Sequence, residues 1–146
     1  MPTTKETALC IQKCRKYGLK ATPQRILIYN ELVASNGHLS PEQLYYRVKK
    51  IQSHISLATV YKALDAFYAV GLVAKVTCQD CTSAYYETNT DRHHHLICKN
   101  CHKIEDIYSN QLNILGIPES LVDEYKISGF SLQLEGICKE CQAKLG

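Results

Sequence analysis

Apolar residues recur at helical spacing through the first half of the chain and alternate with polar ones in much of the second. Between residues 4 and 17, Cys10, Cys14 and Tyr17 fall on one face at i, i+4 and i+7. That spacing predicts a helix capped by Thr4 and ended by Gly18. A second helix opens at Thr22-Pro23-Gln24-Arg25, turns Ile26, Leu27, Leu32 and Val33 inward, and stops at Asn36-Gly37. Ser40-Pro41-Glu42-Gln43 is a capping box for a third helix with Leu44, Tyr45 and Val48 as its stripe. The fourth spans 56–71 and buries Val60, Leu64 and Phe67, leaving Ala58, Lys62, Asp65 and Ala66 outward, flanked by Thr59 and Tyr61. Residues 72–77 and 84–87 read as strands joined by a turn that holds Cys78, Gln79, Asp80 and Cys81. Short helices followed by a hairpin describe a winged helix.

Beyond the hairpin the pattern changes. Residues 103–108 read as a strand, 118–125 as a short helix, and 127–137 as a strand in which Phe130, Leu132 and Leu134 alternate with polar neighbours. So small an α/β unit, with one apolar strand face, gains stability from a metal and from pairing with a second copy. The expected division is 1–84 and 85–146.

Charge sharpens that division. Residues 1–76 carry 11 Lys/Arg against 4 Asp/Glu, and residues 77–146 carry 6 against 10. A basic half joined to an acidic, His- and Cys-rich half points to a nucleic-acid face and a metal-binding face. Short side chains on the fourth helix let it approach base edges, where Thr59 and Tyr61 can meet thymine methyls. No apolar run approaches the roughly 18–20 residues that span a bilayer, and the N-terminus lacks a signal-peptide core. The expected location is cytoplasmic. Eight cysteines there point to metal or redox chemistry rather than a disulfide framework.

Cys98-x-x-Cys101 and Cys138-x-x-Cys141 supply four thiolates, which select Zn2+ and complete its tetrahedron as a structural site. Because 36 residues separate the pairs, an intervening fold must bring them together. Glu87, His93, His95 and Asp106 form a nitrogen/oxygen set suited to a harder divalent ion: Fe2+, Mn2+, Zn2+ or Ni2+. On a strand His93 and His95 point to the same side, and His94 points away. His94 and His102 are expected to be solvent-exposed. Cys10 and Cys14 read as core packing. Three readings fit Cys78 and Cys81: spare reduced thiols, a redox couple, or a second zinc shared with Cys10 and Cys14.

The motifs at 18–25 (GLKATPQR), 37–40 (GHLS), 58–62 (ATVYK), 93–101 (His-x-His-Leu-Ile-Cys-x-x-Cys) and 136–141 (Gly-Ile-Cys-x-x-Cys) together resemble the ferric uptake regulator family over essentially the whole chain. The resemblance implies an α+β protein: an N-terminal winged-helix DNA-binding domain, then a C-terminal α/β dimerisation domain with a structural four-cysteine zinc site. It implies a metal-dependent transcriptional repressor that binds a palindromic operator as a homodimer. By the same resemblance, His38 joins Glu87, His93, His95 and Asp106 around the regulatory metal, Fe2+ or Mn2+ with Zn2+ as an alternative. Tyr61 and Lys62 match positions where the family reads bases or phosphates, and Lys20 matches its minor-groove lysine. A further metal site of many family members would fall on Arg92, His94 and Phe130, which cannot form it. The six-residue step from Glu87 to His93, and Asp106 as acidic ligand, resemble the peroxide-sensing branch; that branch has Asp where this chain has Glu87.

Zinc and manganese sensing are alternatives within the family. Two other classes compete with it: a small metalloenzyme and a zinc-stabilised protein-interaction module. Against an enzyme, a nearly filled ligand sphere leaves little room for chemistry.

Overall fold

Caps written into the sequence start three of the helices of the first unit. In the computed structural model, which describes residues 4–78, 81–114 and 116–146, α1 (Thr4–Lys16), α2 (Pro23–Ser35), α3 (Pro41–Lys49) and α4 (Leu57–Ala69) precede an antiparallel pair. Its strands are β1 (Ala74–Val76) and β2 (Tyr85–Glu87). Thr4 is the first residue of α1 rather than its cap. Thr22 Oγ1 accepts the Arg25 N–H at 3.3 Å, and Asn36 closes α2 in the left-handed conformation, φ 49°. Ser40 and Gln43 exchange both bonds of a capping box, and Ser56 Oγ accepts the Thr59 N–H at 3.1 Å.

Between the helices lies one core in which Cys10, Cys14, Ile28, Leu32, Leu44, Val48, Val60, Leu64 and Phe67 are all buried. Tyr29 meets Phe67 edge-on at 5.9 Å. The inward face of α2 is centred on Ile28, Tyr29 and Leu32, with Leu27 and Val33 at its margin. The first strand is shorter than expected because Leu72 and Val73 sink into the core instead of pairing; the Leu72 N–H returns to Phe67 O at 2.9 Å. Gln79 and Asp80 of the expected turn lie outside the described residues, as do residues 1–3 of the N-terminus. Cys78 and Cys81 form a disulfide. A zinc shared with Cys10 and Cys14 is ruled out, since those two thiols are core residues and join no metal-capable cluster among the described residues.

The chain divides at Met1–Thr90 and Asp91–Gly146. The break falls beyond residue 84 because β2 is held in the first unit twice over. It pairs with β1, and Tyr86 forms an isolated antiparallel bridge with Leu39.

In the second unit β3 (His94–Cys98) is central, antiparallel to β4 (Ile104–Ile107) and parallel to β5 (Gln133–Gly136). Helices α5 (Asn110–Asn113), α6 (Glu119–Glu124) and α7 (Lys139–Leu145) complete it. Of the strand expected over 127–137, only Gln133–Gly136 is regular. Phe130 instead stacks on His94 with centroids 5.8 Å apart, and the Leu132 N–H donates to His94 Nδ1 at 2.9 Å. The buried interior is small, with Ile97, Cys98, Cys141 and His94 among its members. Leu96, Leu134 and Ile137 leave an apolar face open. Among the described residues no helix is long and apolar enough to cross a membrane.

Candidate metal centres and nucleic-acid face

Parallel pairing of β3 with β5 sets Cys98 opposite Gly136 and so carries Cys138 up to Cys98. The sulfurs of Cys98, Cys101, Cys138 and Cys141 all lie within 4.8 Å of one another. The knuckle turns tightly: His102 adopts φ 61°, and its N–H reaches Cys98 O at 2.9 Å. Cys98 Sγ accepts the N–H groups of Cys101 at 3.5 Å and Cys138 at 3.3 Å. Those two amides lower the Cys98 thiol to about 6, so it is ready as a thiolate near neutrality. Four converging sulfurs without an oxygen donor fit a structural zinc.

The nitrogen/oxygen donors form a pair in the first unit and a trio in the second. In the first unit the Leu39–Tyr86 bridge (N–H to O at 3.0 and 2.8 Å) sets the preceding residue of one segment beside the following residue of the other. His38 Nε2 therefore meets Glu87 Oε2, both side chains buried. In the second unit, antiparallel pairing sets His95 across from Asp106. Asp106 Oδ1 lies 3.0 Å from His93 Nε2 and 3.4 Å from His95 Nε2. His93 Nδ1 is 2.5 Å from Asp91 O, which can only accept, so Nδ1 carries a proton and Nε2 is the nitrogen turned to the carboxylate. A ligating imidazole typically makes such a second bond to a carbonyl. Imidazole nitrogens turned on a carboxylate oxygen are a donor set of the kind a divalent cation fits.

His94 corrects the sequence reading. It is 2 % exposed, with Nε2 2.7 Å from Asn113 Oδ1 and Nδ1 accepting from Leu132. Both ring nitrogens serve the fold. Arg92 Nη1 donates to Ser128 O at 3.1 Å and Phe130 stacks on His94, so none of these three residues offers a free lone pair to a metal. His102 is half-buried rather than exposed.

On the first unit, Lys20, Thr59 and Lys62 line a cleft of about 280 Å³ together with Thr22, Gln24 and Arg25. Arg25 Nη1 bonds to Lys20 O at 2.8 Å, which fixes the lysine's backbone at the mouth of α2. Arg25 was not singled out from the sequence, although it ends the motif that contains Lys20. Tyr61 is not among the residues lining that cleft, and its hydroxyl donates to Glu42 Oε1 at 2.5 Å. Glu42, which sequence reasoning used only as part of a cap, also accepts from Ser83 Oγ at 3.2 Å.

A family model, the ferric uptake regulator family, matches residues 16–136. The chain is 33% identical over 134 residues to the peroxide-responsive repressor PerR of Staphylococcus aureus (strain Mu50 / ATCC 700699), covering 92% of this chain and 90% of that one. Its fold resembles that of the Helicobacter pylori ferric uptake regulator Fur, reported with three functional metal binding sites (TM-score 0.76, 24% identity, 96% of this chain and 94% of that one). It also resembles the ferric uptake regulator from Francisella tularensis with iron (TM-score 0.71, 26% identity, 86% and 96%).

Proposed function

The chain belongs to the ferric uptake regulator family of metal-responsive regulators, and from that premise we propose a metal-dependent repressor whose exchangeable ion is gripped by both units. Its ligands are His38 and Glu87 from the first unit and His93, His95 and Asp106 from the second. Zn2+ on Cys98, Cys101, Cys138 and Cys141 is structural and stays bound. The single observation that carries the reading is the way each unit turns imidazole nitrogens on a carboxylate oxygen, an arrangement that a shared cation neutralises.

When bound, the exchangeable ion supplies differential affinity for one relative arrangement of the two units. At 100 times its dissociation constant it contributes about 2.7 kcal/mol, roughly a hundredfold in population. That suffices to set the two α4 helices of a homodimer at the spacing of a palindromic operator. Lys20, Thr59, Tyr61 and Lys62 then face the DNA. The open apolar face around Leu134 supports pairing with a second copy. The work is binding rather than catalysis.

Peroxide is the signal that the S. aureus relative favours; sensing it calls for Fe2+ in the mixed-donor site, and Mn2+ is the other candidate ion. Glu87 stands where that branch has an aspartate, a difference that counts against peroxide as the signal. His93→Ala is expected to abolish metal-stimulated operator binding in a gel shift while the dimer and its zinc persist. Peroxide given to the Fe2+-loaded protein adds one oxygen to the His38 or His93 peptide, read by mass spectrometry. Binding by His93→Ala that still responds to metal, or loss of its zinc, contradicts the two-site assignment. Unmodified peptides contradict peroxide sensing alone.

A further inference from the structure

We infer that Glu42 is a positioning residue for base reading: it holds the Tyr61 hydroxyl so that Tyr61 meets DNA with its ring. The inference rests on the proposal that α4 enters the major groove. Glu42 is the second residue of α3, and the Ser40–Gln43 capping box fixes the backbone that carries it. Its two carboxylate oxygens go to two different elements. Oε1 accepts from Tyr61 on α4 at 2.5 Å, and Oε2 accepts at 3.2 Å from Ser83, in the connection between β1 and β2. One side chain thus ties the recognition helix and the wing to α3.

Hydroxyl-to-carboxylate bonds of this length are among the strong ones. The bond holds the Glu42 carboxyl below its usual range and the Tyr61 phenol above it. A phenol has one proton. Given to Glu42, it is not available to a phosphate or to a base acceptor. What Tyr61 presents is its ring, 37% exposed, and an aromatic edge in the major groove discriminates by apolar contact with the thymine C5-methyl. A carboxylate on a DNA-facing surface also repels phosphates, which lowers affinity for every sequence alike. The geometry therefore trades general affinity for a fixed reading ring.

The test uses the full-length, zinc-replete chain loaded with Mn2+. The probes are a duplex selected from random DNA on that protein, the same duplex with every thymine replaced by 2′-deoxyuridine, and a random-sequence duplex of equal length. Removing the methyls should weaken wild-type binding about fourfold for each methyl contacted. Glu42→Ala should bring the thymine-to-uridine ratio near one while raising affinity for the random duplex severalfold. Glu42→Gln, which keeps an acceptor for the phenol, should retain the ratio, and Tyr61→Ala should abolish it. A wild-type ratio in Glu42→Ala with a flat response in Tyr61→Ala overturns the positioning role alone. A wild-type ratio in Tyr61→Ala, or no duplex selected at all, overturns the underlying reading of α4 and the inference with it. Equal loss of all binding in Glu42→Ala, with a lowered melting temperature, identifies a merely structural contact and also overturns it.

Discussion

Cys10 shows how far a residue's surroundings can move its chemistry. Burial first, then the nearby Cys14, pushes its thiol up to about 12, against an ordinary value of about 8.5. The folded state therefore keeps a proton that the unfolded chain gives up. Its contribution to stability is complete below about pH 8.5 and is lost as pH climbs toward 12, at no more than about 1.4 kcal/mol per pH unit. Urea titrations at rising pH should show this alkaline limb in the wild type, and Cys10→Ala should flatten it. The inward place of Cys10 and Cys14 was legible from their spacing. The place of His94 was not, because its partners Asn113 and Leu132 lie 19 and 38 residues away. The period of two set its side chain opposite those of His93 and His95, but no local pattern shows whether that side is solvent or a buried, doubly bonded site.

At the scale of elements, helices whose ends carry side-chain caps were read well, since a cap is a local contract between residues three apart. Ser40→Ala removes the acceptor for the Gln43 N–H and should cost about 1 kcal/mol. Thermal unfolding should register it as a drop of about 4–8 °C for a unit of this size. The β5 region was overread. Phe130 and Leu132 satisfy the alternation through an aromatic stack and a backbone-to-imidazole bond, so a period of two did not require a strand. Helix α7 was missed because the sequence reading treated Cys138 and Cys141 only as ligands. Cys138 is also the helix cap position, and Cys141 is the buried residue of its first turn.

For the molecule as a whole, the contrast between units is one of self-sufficiency. The first unit has an extensive core of its own, whereas the second buries few side chains and relies on its sulfur cluster. Cys98→Ser should therefore unfold the second unit, seen as lost far-UV signal and a monomeric elution volume. Amide exchange should still protect α2 and α4 in that variant. Survival of the second unit without zinc would assign its stability to the apolar interior instead. The split into a helical, basic half and a sulfur-dependent, acidic half was visible in charge and cysteine placement. Its boundary was not, because the Leu39–Tyr86 bridge joins residues far apart in sequence.

The engagement of both nitrogens of His94 takes one imidazole out of the metal chemistry of the chain. With that ring committed to protein partners, the two sites proposed above, one in sulfur and one in mixed donors, do not draw on it. Native mass spectrometry under excess Mn2+ should plateau at those two. A third tightly held ion would overturn that count.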